Sequence, residues 1–144
     1  MRRRSFRPCP AVETMKIEIQ IARERIMHPS PDAKIHSAAV GAWVEFSGIV
    51  RDEEEGRAIA ALEYEAYDTM AVRVMREILE QLASQHPCQC AHVIHRVGVV
   101  PVGEAAIWIG VAAAHRKEAL ALVTKFMDRL KQDVPIWKRR AIPE

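Results

Sequence analysis

The stretch VGVVPVGEAAIWIGVAAA, residues 97–114, decides the fold because it is apolar but interrupted. Pro101, Gly103 and Glu104 break it, and each half alternates as a strand does. A membrane-spanning helix needs about 20 consecutive apolar residues without such a break. The stretch therefore predicts two buried strands joined by a turn, the second of them Ala105–Ala113.

Further strands are predicted on the N-terminal side of this stretch. In Met15–Ile21, isoleucines alternate with polar residues, as in an amphipathic strand. Ala42–Val50 and Ile59–Tyr67 follow the strand pattern on either side of the acidic turn Asp52–Gly56, which suggests a hairpin. Ala91–Val97 is a further apolar strand that leads into the central stretch.

Two long segments have the spacing of amphipathic helices. Thr69 to about Gln85, with Asp68 as its cap, and Lys117 to about Gln132 carry apolar residues at i, i+3 and i+4. A short helix is expected from Pro31 to about Ala39, and Ile136–Arg140 is expected to be extended.

The order β-α-β-β-α-β-β-α predicts an α+β domain, a mostly antiparallel sheet covered by helices. A chain of 144 residues is long enough for one domain with a sizeable core. We therefore expect a flexible basic tail over residues 1–14, with Met15 as an alternative natural start, and a single domain over residues 15–144.

Composition argues against nucleic-acid binding and secretion. The net charge is only +2, and the basic residues Arg2, Arg3, Arg4 and Arg7 lie in the tail, so the remainder is slightly acidic. No apolar segment follows the tail as it would in a secretory signal. Three cysteines in a chain without a signal are typical of the reducing cytoplasm.

Several familiar kinds of site are missing, and one metal site is only an alternative. The sequence has no Gly-rich phosphate loop, no Gly-x-Ser-x-Gly and no His-Glu-x-x-His. His86, Cys88, Cys90 and His92 could bind zinc, but their close spacing favours a plain loop that leads into a strand. No metal or cofactor is therefore expected. The acidic run after Arg51 is interpreted as a solvated turn.

Cations gather where strands and helices end. Arg51 ends a strand, and His115-Arg116 stands at the start of the last helix, where backbone N–H groups favour an anion. Lys131 lies in the last turn of that helix, and Lys138-Arg139 follows Trp137. A shared anionic ligand would explain this gathering, so the sequence predicts a cationic pocket centred on Lys131 and Lys138.

At these positions the sequence resembles the large subunit of molybdopterin synthase, from about Met15 to the end of the chain. The Pro-x-Trp-Lys block, with a lysine seven residues upstream, is the most specific part. The matching blocks are Phe46–Arg51, Val93–Gly98, Ala114–Arg116, Phe126–Lys131 and Pro135–Arg139.

The resemblance implies an α/β hammerhead-type fold and a heterotetramer. In it two large subunits pair centrally, and each binds a small ubiquitin-like sulfur-carrier subunit with a Gly-Gly thiocarboxylate tail. Two sulfur transfers convert cyclic pyranopterin monophosphate to molybdopterin, a step in molybdenum cofactor biosynthesis. The enzyme would be a sulfurtransferase that needs no metal.

The resemblance also implies roles for individual residues. Lys131 and Lys138 are the expected catalytic lysines: Lys138 stabilises the developing oxyanion and Lys131 assists proton transfer. The expected substrate-binding residues are Ile49, Val50, Arg51, His115, Arg116, Lys131, Lys138, Arg139 and Arg140.

Two features depart from the family pattern. Arg140 stands where the family usually has an acidic residue, so we expect a more positive pocket in which this position does not supply the carboxylate that could pair with Lys138. The family pattern also continues beyond Glu144. A non-catalytic or divergent paralogue that binds a ubiquitin-like tail or an anionic ligand is therefore the alternative function.

Overall fold

The computed structural model describes residues 14–144, so the predicted tail lies outside the described residues except for Thr14. Eight strands and three helices follow one another in this part of the chain. They are β1 (Lys16–Ala22), α1 (Pro31–Lys34), β2 (Ala42–Ile49), β3 (Glu53–Glu54), β4 (Arg57–Ala66), α2 (Asp68–Gln85), β5 (Cys90–Arg96), β6 (Gly98–Pro101), β7 (Ala105–Ala113), α3 (Arg116–Asp133) and β8 (Ile136–Pro143).

The larger sheet has the strand order β1-β5-β7-β2. The β1–β5 pair is parallel, whereas β7 is antiparallel to both β5 and β2. Helices α2 and α3 cover one face, because their apolar stripes pack on alternate residues of the central strands. Val93, Ile109 and Phe126 are completely buried in this core.

A smaller sheet is built around β4, which pairs antiparallel with β3, β6 and β8. The chain passes from the larger to the smaller sheet between β5 and β6. Gly98 stands at this junction with φ of 86°, a left-handed conformation that glycine adopts without steric cost. The expected α+β class with mainly antiparallel pairing is confirmed.

The other face of the larger sheet carries an aromatic cluster centred on Trp108, which is completely buried. Trp43, His28 and His92 surround its indole, with ring centroids 5.3–6.5 Å from it. A Cβ at Gly110 would lie 2.6 Å from Trp43 and 2.7 Å from Trp108, so this position must be glycine for the two rings to fit.

Some expected boundaries were wrong. Helix α1 ends at Lys34 rather than near Ala39. Asp68 does not cap α2: it is the first helical residue, and its carboxylate binds Arg23 at 2.8 Å. Strand β3 was not expected, and the strand expected in the first half of residues 97–114 is the short strand β6. No helix within residues 14–144 is long and apolar enough to cross a lipid bilayer.

Candidate active site

A cleft of about 420 Å³ lies where the larger and smaller sheets meet. The end of β2, the middle of β4, the last turn of α3 and the start of β8 form its walls. Phe46, Leu62, Ala106, Ile107 and Leu130 give it a largely apolar lining, while cationic side chains also reach it.

Lys131 and Lys138 both line this cleft. Lys131 lies in the last turn of α3, where a cation interacts favourably with the helix dipole. The helix ends at Asp133, with Val134 as its C-cap residue, and Pro135 leads directly into β8. The short connection therefore places two lysines seven positions apart at one cleft.

Arg51 and Ile49 also line the cleft, and Val50 lies between them. Val50 is buried, and both of its backbone groups are already used. Its N–H donates to the carbonyl of Glu104 at 3.0 Å, and its carbonyl accepts from the N–H of Gly103 at 2.8 Å. Val50 thus fixes the backbone beside Arg51, while the exposed residues Ile49 and Arg51 line the cleft.

Arg139 and Arg140 do not line the cleft. A β-bulge between the Tyr64–Lys138 and Glu63–Arg140 pairs interrupts the alternation of β8. Arg139 binds Glu63 at 3.4 Å and Glu65 at 3.1 Å, and Arg140 also binds Glu63. The structure therefore directs these two guanidinium groups to carboxylates of β4, outside the cleft.

His115 and Arg116 lie at the opposite end of α3 from Lys131. Fifteen residues at the helical rise separate Arg116 from Lys131 by about 22 Å. Both residues are exposed, and His115 is the N-cap residue, without a hydrogen bond from its side chain. One copy of the chain does not bring this pair to the lysines.

Three polar residues of the cleft were not predicted from sequence as site residues: Glu54, Tyr64 and His95. The Lys138 Nζ lies 2.9 Å from Glu54 Oε1, so the acidic turn is not merely solvated. Burial raises the pKa of Tyr64, an effect that nearby Lys138 opposes and Glu54 reinforces. Of these three residues, only His95 could have been found from sequence. The alternation of strand β5 places its side chain on the same, helix-covered side of the sheet as that of Val93.

His95 is 5% exposed and packs edge-on against Tyr64 at 5.6 Å. Its Nδ1 lies 2.8 Å from the backbone carbonyl of Arg96, which fits a ring N–H that donates there. Burial lowers the pKa of His95, and the carbonyl contact opposes this only in part. His95 therefore contributes a neutral ring to the cleft at neutral pH.

The cysteine and histidine segment does not form a metal centre in the part of the chain that the structure describes. No group of three or more histidine, cysteine or acidic residues converges within residues 14–144. Cys88 packs in the core beneath the helices, whereas Cys90 and His92 border a small pocket near Lys34. Burial raises the pKa of Cys88 to about 12, so this thiol stays protonated.

The cleft combines features suited to an anionic ligand with an extended apolar part. Within residues 14–144, neither Lys131 nor Arg51 has a carboxylate within 4 Å, so both cations can meet a ligand. Phe46, Ile49 and Trp137 line the cleft and remain 37–50% exposed. Such a site can bind a phosphate or carboxylate and stabilise negative charge that develops during acyl transfer.

The MoaE protein family model matches residues 21–133. The molybdopterin synthase catalytic subunit of Pyrococcus abyssi is 40% identical over 112 residues, 78% of this chain and 76% of that protein. The protein of the same name from Oryza sativa subsp. indica is 39% identical over 105 residues, 73% of this chain and 54% of that protein. The chain thus spans about half the length of its rice relative.

Solved structures show the same fold. Molybdopterin synthase from Staphylococcus aureus has a TM-score of 0.79 and 32% identity, over 86% of this chain and 90% of that chain. A complex of subunits 1 and 2 of the molybdopterin-converting factor from Helicobacter pylori has a TM-score of 0.65 and 21% identity, over 87% of this chain and 88% of that chain. The chain belongs to the MoaE protein family.

Proposed function

We propose that this chain is the catalytic subunit of a molybdopterin synthase. It would transfer sulfur from a thiocarboxylated small carrier subunit to cyclic pyranopterin monophosphate and so form the molybdopterin dithiolene. The observation that carries the proposal is the cleft in which Lys131, Lys138 and Arg51 surround an apolar lining, in a chain of the MoaE family. Both reactants are anions, and both can meet these cations.

The carrier tail would enter along the exposed apolar side of the cleft. Phe46, Ile49 and Trp137 offer an apolar surface for an extended chain end, beside Lys138. The molybdopterin-converting factor of Helicobacter pylori is a complex of two subunits, which supports a small-subunit partner here. The Gly-Gly thiocarboxylate of that partner and a cytoplasmic location stay predictions.

The two lysines would divide the chemistry. The thiocarboxylate sulfur bonds to a carbon of the pterin and displaces oxygen from it, and water then cleaves the bond between sulfur and the carrier's carbonyl carbon, which leaves a carboxylate on the carrier. Lys138 stabilises the oxyanion that develops on that carbonyl group during the cleavage, and Lys131 moves a proton to or from the substrate. Arg51 binds the phosphate. The backbone of Val50 is occupied by Gly103 and Glu104, so its part is to orient Arg51.

A second copy of the chain would supply His115 and Arg116. These residues lie about 22 Å from Lys131 along α3, too far to touch the same small anion in one copy. A symmetric pair, as the resemblance implies, can bring the start of α3 from one copy to the cleft of the other. Arg139 and Arg140 are then not needed as ligands, because Glu63 and Glu65 bind them.

The proposal is tested by mixing the chain with thiocarboxylated carrier and cyclic pyranopterin monophosphate and measuring molybdopterin. Lys138→Ala should lower the rate about 10²–10³-fold and Lys131→Ala at least about 10²-fold. Lys125→Ala removes an exposed lysine of the same helix outside the cleft and should change little. Full activity of Lys138→Ala, or no product from folded wild-type partners, would refute the assignment. Carrier binding without turnover would indicate the alternative, a non-catalytic paralogue.

Mixed dimers test the role of the second copy. Arg116→Ala and Lys138→Ala chains, each inactive alone, should recover about one quarter of wild-type activity when they exchange freely, since half the dimers then hold one intact site. If Arg116 served the cleft of its own copy, mixing would restore nothing.

A further inference from the structure

The hairpin between β3 and β4 brings a carboxylate to Lys138 from far away in the sequence. Glu54 Oε1 lies 2.9 Å from Lys138 Nζ, and 84 residues separate the two positions. Both side chains line the cleft, where Glu54 is 25% and Lys138 49% exposed. This contact therefore lies within the proposed site.

A tight turn restricts the backbone position of Glu54. Glu54 pairs with Arg57 across a turn of only two residues. Those residues, Glu55 and Gly56, have φ of 51° and 78°, as in the tight turns that join twisted antiparallel strands. The turn fixes the direction in which Glu54 leaves the strand.

Lys138, by contrast, has a flexible side chain of four methylene groups that moves freely unless it is held. A charge that stabilises a transition state must be in place before the reaction, because reorienting it during the reaction costs energy. Within residues 14–144, Glu54 is the one carboxylate within 4 Å of the Lys138 ammonium. Glu63 and Glu65 are bound by Arg139 and Arg140 on the other side of the bulge.

An exposed ion pair contributes little to the stability of a fold, so stabilisation alone is a weak account of this contact. We propose that Glu54 is a positioning residue, which holds the Lys138 ammonium at the mouth of the cleft so that it meets the charge developing on the carrier's acyl group. This inference rests on the proposed function of Lys138.

Glu54→Gln tests the inference because it keeps the size of the side chain and removes the charge. Glu53→Gln is the matched control, since it removes the same charge from the neighbouring, exposed position of β3. We expect kcat for molybdopterin formation to fall about 10- to 100-fold in Glu54→Gln and to stay unchanged in Glu53→Gln. KM for the anionic pterin should not rise, because the cleft loses a negative charge. Glu54→Asp keeps the charge and should retain an intermediate kcat.

A second measurement separates this inference from the proposed function. Side-chain NMR of ¹³C-labelled lysine reports the order parameter of the Lys138 ε-carbon without any turnover. It should fall in Glu54→Gln and not in Glu53→Gln. An unchanged order parameter, or a kcat equal to that of Glu53→Gln, overturns the inference while the proposed function stands. If the wild-type protein makes no molybdopterin while the order parameter falls in Glu54→Gln only, the proposed function is overturned and the positioning of Lys138 by Glu54 stands.

Discussion

Glu104 forms ion pairs with two arginines, one exposed and one buried. Its substitution therefore shows whether burial or distance determines how much an ion pair stabilises this fold. Its carboxylate lies 3.2 Å from Arg25 Nε and 3.6 Å from Arg96 Nη1. The Arg25 side chain is 70% exposed, whereas that of Arg96 is 11% exposed. Glu104→Gln keeps the shape of the side chain and removes its charge, which leaves the buried Arg96 with no carboxylate within 4 Å among residues 14–144.

Coulomb's law gives the gross energies. At 3.6 Å and an effective dielectric constant of about 20, the Arg96–Glu104 attraction is about 4–5 kcal/mol. At 3.2 Å in a nearly aqueous dielectric, the Arg25–Glu104 attraction is only about 1 kcal/mol. After allowance for the desolvation of both groups, we expect Glu104→Gln to lower the free energy of unfolding by about 2–4 kcal/mol and Arg25→Gln by less than about 1 kcal/mol.

Equilibrium unfolding in urea at pH 7 measures both changes. High salt should abolish the effect of Arg25→Gln and preserve most of that of Glu104→Gln, because ions screen exposed charges far more than buried ones. Equal losses in the two variants would refute the reasoning, since the closer pair would then matter as much as the buried one. Within the described part of the chain, Nε and Nη1 of Arg96 have no hydrogen-bond partner, which makes the loss of its counter-charge more costly.

Three further predictions concern stability and reactivity. Gly110→Ala places a methyl group less than 2.8 Å from Trp43 and Trp108, so it should lower the free energy of unfolding, measured in urea, by about 2–3 kcal/mol. An unchanged midpoint of urea unfolding would mean that the two rings are not rigidly packed. Because burial raises the pKa of Cys88 to about 12, its alkylation at pH 8 should be at least about 100-fold slower in the folded than in the urea-unfolded protein; peptide mapping measures this, and equal rates would contradict it. Burial lowers the pKa of His95 below its unfolded value of about 6.5, so stability is complete above that value and falls as the pH drops through the folded pKa. The urea midpoint should therefore decrease from pH 7.5 to pH 5, and by less in His95→Asn; an equal decrease would assign the effect to other groups.

The sequence predicted the periodic elements well because their burial repeats along the chain. The stripes of α2 and α3 and the apolar run of β7 appear at the expected positions. Strand β6, expected in the first half of the central stretch, has only four residues, with Gly98 and Pro101 at its two ends. Its pairing with β4 is a tertiary effect that no local pattern contains.

The site was predictable where neighbouring elements join directly. Lys131 and Lys138 line the same cleft because the end of α3, Pro135 and the start of β8 follow one another without a long loop. The side of β8 on which Arg140 lies was not predictable from sequence. Strict alternation would place Arg140 on the same side of the strand as Lys138. The bulge reverses that side and leaves Arg140 with Glu63. The contact of Glu54 with Lys138 depends on a hairpin folding over the cleft, and its residues alone gave no sign of it.

The pairing of β8 with β4 also determines when the cleft can form during synthesis of the chain. Arg140 binds Glu63 across 77 residues, so β4 leaves the ribosome long before its last partner. Until β8 arrives, one edge of β4 has unpaired backbone groups, and such edges attract other chains. Pairing over so large a separation is also a slow step of folding. A nascent chain that has just completed α3 already carries Lys131 but has no complete cleft, so the site arises only after β8 has been synthesised.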